Sequence, residues 1–194
     1  MSSQDKSVEL QTFDKWLKDA CNNGAVPVVT GKNGDMDTIG SAVALSAAHP
    51  NMMACGLHLG RTAKRMVESL KAPFRKLSEH QTVWPKNIGG IVVVDAAAPG
   101  QVGITLPKDV PICILDHHST CDWVLGENDL LLQWNVRATT QIVDEYLSNY
   151  TPESRTPVVR KMLLAGLLTD TARFRHADKG AFQTAVNLLQ DDDI

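Results

Sequence analysis

Apolar positions along this chain recur in two rhythms. Leu10, Phe13, Trp16, Leu17 and Ala20 are spaced by three and four residues, which predicts an amphipathic helix over 9–21, stopped by Asn22-Asn23-Gly24. Five shorter stretches are apolar almost throughout and read as strands: 26–30 (VPVVT), 52–57 (MMACGL), 88–97 (IGGIVVVDAA), 110–118 (VPICILDHH) and 129–134 (DLLLQW). Helical spacing returns over 38–48, 60–70, 138–149, 157–169 and 178–190. Residues 71–87 carry Pro73 and Pro85 with no period, and are expected to be irregular.

Strands that are apolar on both faces, rather than alternating, are those a parallel sheet buries between two layers. With strand and helix following one another, the expected fold is α/β: a doubly wound, mainly parallel sheet of about five strands with helices on both faces. A chain of 194 residues supports one large domain rather than two ordinary ones. The formal net charge of −3 provides no global basic field to draw in long nucleic acid, so a small or short anionic substrate is the better expectation. Cys21, Cys55, Cys113 and Cys121 form no CxxC pair, which argues against a zinc knot or a disulfide framework and for a reducing compartment. The polar start MSSQDKSVELQTFDKW has no apolar leader, and no stretch approaches the roughly 18 apolar residues of a membrane span. The expected location is the cytoplasm, away from the membrane.

Ligands of open parallel sheets bind at the carboxyl ends of the strands. There this chain places Asp35 and Asp37 after its first strand, Asp95 after the strand at 88–94, and Asp116, His117 and His118 after the strand at 111–115. Asp170 follows at a helix end. A single Asp after a strand is ordinarily a helix cap or a turn former. Asp-His-His directly after a buried apolar run is harder to explain so, and the joint pattern favours a metal site. Carboxylates with imidazoles suit Mn²⁺, with Mg²⁺ possible, better than zinc. Two such ions about 3.5–4 Å apart would share a bridging carboxylate and generate a hydroxide nucleophile.

The segments GKNGDMDTIGSAVAL, VVVDAA, ILDHHST and LLTDTARFRHA resemble, in order and spacing, the four signature motifs of the DHH phosphoesterase superfamily. The resemblance runs from about residue 26 to 190. Its most specific parts are ILDHHS, the D-x-D at Asp35 and Asp37, and the G-x-x-x-D-T from Gly166 to Thr171. It implies that 1–194 is a DHH catalytic domain without the C-terminal substrate-binding domain that usually follows. It implies that Asp35 binds one metal and Asp37 the other, that Asp95 bridges them, and that His117 and Asp170 complete the shell around the second. It gives His118 a catalytic place facing the scissile phosphate, with Asp116 orienting a histidine.

The chain departs from that pattern at one point. The family's first motif usually runs His-x-x-Pro-Asp-x-Asp; here Gly31 stands at the histidine and Gly34 at the proline. The first metal is therefore expected to bind more weakly. Some exopolyphosphatase-like members also lack that histidine. Lys32, Arg173, Arg175 and His176 are candidate substrate contacts, the other reading being solvated surface. The same pair of readings applies to Arg137. Gly40-Ser41 in the first motif reads as close helix–sheet packing or as a helix start aimed at an anion. His49, His58 and His80 read as surface or packing residues, and the tryptophans at 16, 84, 123 and 134 as core or edge packing.

The implied activity is divalent-metal-dependent hydrolysis of phosphoester bonds in short oligonucleotides, cyclic dinucleotides or pAp. TARFRHA and the helix start Thr139-Thr140-Gln141 lean that way. The altered first motif leans instead toward polyphosphate or pyrophosphate. A degenerate domain that binds nucleotide or a partner without turnover is the alternative of another class, and a homo-oligomer is compatible with all three.

Overall fold

The computed structural model describes residues 3–79 and 82–189. His80 and Gln190, the last residue of the expected helix 178–190, lie outside them. The first helix, α1 (Ser3–Asn23), begins six residues before the start expected at residue 9. Its polar first turns are held by tertiary contacts: Trp134 Nε1 donates to Glu9 Oε2 at 2.7 Å, and Lys6 lies over the Trp134 ring. The apolar stripe is buried at Leu10, Phe13, Leu17 and Ala20.

The strands β1 (Val26–Thr30), β2 (Met52–Gly56), β3 (Arg75–Lys76), β4 (Ile91–Val94), β5 (Ile112–Asp116) and β6 (Leu130–Gln133) form one sheet in the order β3-β2-β1-β4-β5-β6. Every neighbouring pair is parallel. The doubly wound parallel sheet is as expected, with six strands in place of about five. The additional one, β3, has only two residues, both exposed and both basic, so it carries no apolar run to announce it.

The helices that follow are α2 (Met36–Ser46), α3 (Arg61–Leu70), α4 (Thr139–Tyr150), α5 (Pro157–Asp170) and α6 (Lys179–Leu189). Successive strand residues point to opposite faces of the sheet. Val28, Val92, Cys113 and Leu115 share a core with Phe13, Ile39, Ala63, Ile142, Met162 and Leu188, so all six helices contribute to that face. Val29, Val93 and Ile114 meet Leu77, Trp84, Val102, Ile104, Leu106 and Trp123 instead. The expectation of helices on both faces is corrected here. The second face is covered by irregular chain and one short 3-10 turn (Pro99–Gln101), because the β4–β5 connection carries too little helical period to form more.

Trp134 is 2% exposed, while Trp16, Trp84 and Trp123 pack against the two cores. All four cysteines are free, three of them buried. No described helix is long and apolar enough to cross a membrane.

Candidate metal centre

In this strand order, β1 feeds β2 on one side while its other neighbour, β4, leads on to β5. The chain after β1 and the chain after β4 diverge, and a crevice opens at the carboxyl end between them. Thr30 pairs with Val94 and Val94 with Leu115, so β1 and β4 end level at this edge and β5 runs one residue further, to Asp116. Thr38 locks the loop after β1: its Oγ1 accepts from Gly31 N and donates to the carbonyl of Val94.

Four residues named from the sequence meet here. His117 Nε2 lies 3.3 Å from Asp170 Oδ2, 3.5 Å from Asp95 Oδ1 and 3.9 Å from Asp37 Oδ2. Asp37 comes from the first turn of α2, Asp95 from the end of β4, and Asp170 is the last residue of α5. Asp95 has φ 57, the left-handed region that Asp tolerates better than most side chains. The turn leaves its Oδ1 also 3.8 Å from His118 Nδ1. One carboxylate oxygen thus faces both imidazoles.

Burial works against a charged His117, but the hydrogen-bonding carboxylates of Asp170 and Asp95, with the nearby charge of Asp37, outweigh it and push the imidazole up to about 11. Asp37 is shifted well upward, first by its burial and then by the charges of Asp95 and Asp170. The same concentration of negative charge thus raises both an acid and a base. Two overlapping donor sets could hold a cation: Asp37, His117 and Asp170, and Asp95, His117 and His118, the donor atoms of each set within 4.8 Å of one another. Carboxylate oxygens with imidazole nitrogen suit a hard or borderline divalent ion, so the residues present fit the group the motifs imply.

His118 sits at the rim. Its Nδ1 is 2.7 Å from Oδ1 of Asp116, which is buried at the end of β5. The other oxygen of Asp116 is buried with no hydrogen-bond partner among the described residues. Gln133 of β6 holds the backbone that follows, donating to the carbonyls of His118 and Thr120.

Asp35 stands apart from this cluster. It is the N-cap of α2: Oδ1 accepts from Thr38 N at 3.0 Å, and Oδ2 accepts from Asn33 Nδ2 at 2.5 Å. Burial, then the charges of Asp95 and Asp170, raise its pKa, so it lies within the field of the site. Gly34 has φ 59, and a Cβ there would lie 2.2 Å from the His58 carbonyl oxygen. Neither proline nor any other side chain suits this position. Gly31 is outside the left-handed region, and a Cβ on it would lie 3.1 Å from Asn33 Oδ1. The Asp95 carbonyl oxygen is equally close, at 3.1 Å, so a side chain at 31 would meet both the asparagine and the main chain after β4.

Lys32, Arg173, Arg175 and His176 are solvent-exposed. Ala172, Arg173 and Phe174 are all left-handed, and the turn folds back on the end of α5, with Arg173 N–H donating to the Leu168 carbonyl and His176 N–H to that of Thr171. Arg137 is paired with Asp178 at 2.9 Å. His58 is exposed, and His49 accepts from Asn51 N. Sequence reasoning missed Asn33, Gln133 and the backbone donors of Thr139 and Thr140, which bind Asp37 at 2.7 and 2.9 Å. Asn33 lies inside the first motif and could have been found there. A backbone N–H leaves no mark in a sequence.

The chain is thus a parallel α/β sheet with acids and imidazoles gathered at its switch point. Two solved structures share the fold. A candidate family II inorganic pyrophosphatase of Methanococcus jannaschii superposes with a TM-score of 0.65 at 19% identity, over 85% of this chain and 55% of that one. An exopolyphosphatase-related protein of Bacteroides fragilis superposes with a TM-score of 0.73 at 15% identity, over 96% of this chain and 58% of that one. The chain thus spans a little over half the length of either. No family model matches it, and no curated protein matches it significantly.

Proposed function

We propose that this chain is the metal-binding domain of a phosphohydrolase acting on a small phosphorylated substrate. The observation that carries the reading is the meeting of His117 Nε2 with carboxylates from α2, β4 and α5. Asp37, Asp95, His117 and Asp170 would hold a divalent ion, with Asp35 serving a second and weaker position; Mn²⁺ suits the donors, as does Mg²⁺. Such ions, when bound, lower the pKa of a coordinated water and offset phosphate charge.

The chain's own residues do the rest. Asp95 keeps one oxygen toward both imidazoles and fixes where the site opens. Asp116 holds His118 by Nδ1, so that the ring's other nitrogen is presented outward to a scissile phosphate as a proton donor or a fixed electrostatic partner. Lys32, Arg173, Arg175 and His176 supply exposed positive or hydrogen-bonding groups for the flanking phosphates.

A phosphoanhydride, pyrophosphate or polyphosphate, is the substrate class favoured by the names of the two fold neighbours. Short oligonucleotides, cyclic dinucleotides or pAp form the second reading. The turn after α5 favours it, since it exposes Arg173 and Arg175 beside a half-buried Phe174. The test is phosphate or nucleotide release with added Mn²⁺ on pyrophosphate, polyphosphate, pAp, dinucleotides and cyclic di-AMP. Turnover abolished by Asp95→Ala is expected. Nucleotide binding without turnover on any substrate, Mn²⁺ being bound, would instead make this a non-catalytic domain.

A further inference from the structure

α4 begins without a cap of its own. Its N-cap residue is Ala138, whose side chain holds no acceptor, so the first backbone N–H groups of the helix need a partner from elsewhere. They find it on α2. Thr139 N–H donates to Asp37 Oδ2 and Thr140 N–H to Asp37 Oδ1, both inside the protein. The approach depends on Gly166 of α5, where a Cβ would lie 2.6 Å from Thr140 Cγ2 and 3.1 Å from the Asp37 Cα. Each oxygen of a fully buried carboxylate is thus directed by the positive end of a 12-residue helix.

We infer that Asp37 is the N-terminal cap of α4, supplied across the tertiary structure, and that the Thr139 and Thr140 N–H groups are positioning groups that fix how Asp37 faces a divalent ion. The second half rests on the metal reading above; the first half does not. A carboxylate oxygen has two lone pairs. With one on each oxygen taken by a backbone donor, the carboxylate cannot rotate, and Oδ2 keeps its remaining lone pair on the side of His117, 3.9 Å away. Groups that orient a ligand in this way commonly govern metal affinity by about 10–100-fold. The arrangement ties the site to the packing of α2, α4 and α5, so the helix and the ligand are set by the same two bonds.

The capping half is tested without metal. In chelator, Asp37→Ala removes one charge from a crowded acidic cluster, which by itself would stabilise the protein. As a cap its loss leaves two buried donors unpaired, and the melting temperature is expected to fall by about 2–8 °C. Asp170→Ala, which thins the same cluster but leaves the α4 donors satisfied, is expected to shift it less. A melting temperature for Asp37→Ala at or above the wild type overturns the cap.

The positioning half is read by Mn²⁺ calorimetry on two variants. Thr139 is the first helical residue and Ala138 is already extended (φ −162, ψ 147), so the backbone can take proline. Thr139→Pro deletes the donor to Asp37 and is expected to weaken Mn²⁺ binding about 10–100-fold relative to Thr139→Ala, which keeps the N–H and, like the proline variant, lacks the hydroxyl that lies 3.4 Å from Asp95 Oδ1. Equal affinities in the two variants overturn the positioning role. Should Thr139→Pro fail to fold, amide exchange decides: Thr139 and Thr140 must be protected in the wild type in chelator and lose protection in Asp37→Ala. Protection unchanged in that variant overturns both halves. A wild-type chain that binds no Mn²⁺ removes the metal reading and the positioning half with it, and the melting comparison still decides the cap.

Discussion

His118 Nδ1 rests 2.7 Å from Oδ1 of Asp116, and the exposure of the two side chains differs sharply, 44% against 1%. A buried carboxylate holding an exposed imidazole by one nitrogen is a device for aiming the other. His117 is turned the opposite way, toward three carboxylates, and is 17% exposed at its side chain. Adjacent residues at the end of one strand thus face different surroundings. His118→Ala is expected to cut turnover by about 10²–10⁴ with Mn²⁺ stoichiometry intact. His117→Ala should lower both occupancy and rate. Calorimetry beside a phosphate-release assay separates the two, and equal metal loss in both variants would reverse the assignment.

The weaker ion position proposed for Asp35 turns on Gly31. Because Gly31 is not left-handed, its backbone can carry a side chain, but a Cβ would meet Asn33 Oδ1 and the Asp95 carbonyl oxygen, each at 3.1 Å. Gly31→His alone should therefore tighten the second Mn²⁺ only modestly. The double variant Gly31→His, Asn33→Ala should tighten it further, since one of the two close neighbours is then gone and only the Asp95 carbonyl remains. Titration of both against the wild type checks this; a double variant no tighter than the single would mean that Asn33 is not the obstacle.

Gly34 behaves differently. At φ 59, with the His58 carbonyl oxygen 2.2 Å from where a Cβ would sit, Gly34→Ala combines backbone strain with a clash against main chain. Urea denaturation should show a loss of about 1–3 kcal/mol or more. Gly31→Ala should lose distinctly less, and a comparable loss at the two positions would contradict the geometry.

Asp178 gives a pH signature distant from the acidic cluster. The Ala181 N–H bond at the start of α6 lowers its pKa below the ordinary 3.8, partly opposed by burial and helped by Arg137. A carboxyl lowered in the folded state adds stability that is fully present above its unfolded pKa and is lost as pH falls through the folded one. Asp178→Ala should therefore be less stable than wild type at pH 7, by about 1 kcal/mol from the lost cap. The difference should shrink as pH drops below 3.8. The Arg137 pair is half exposed and adds little to it. Denaturant melts at several pH values read the difference directly, and one that stays constant down to low pH would rule out the ionised carboxyl as its source.

Much of this protein is determined locally. VPVVT, IVVV and ICILD are apolar at every position, and only burial on both faces accommodates such strands, so a parallel α/β sheet follows from composition and order. The acids and histidines at the strand ends are equally legible, because the carboxyl edge of such a sheet is where its chemistry collects. What lay beyond the sequence depends on contacts between distant segments. Asp35 and Asp37 look alike in the motif, yet one caps its own helix while the other caps α4 and faces His117. The two-residue β3 forms only because β2 offers an edge to pair with. The irregular cover of the second sheet face likewise has no period to read, since its apolar residues are placed by the surface they meet. Periodicity records which side of an element is buried; which element buries it, and which backbone donor meets which carboxylate, is settled only when the chain has closed on itself.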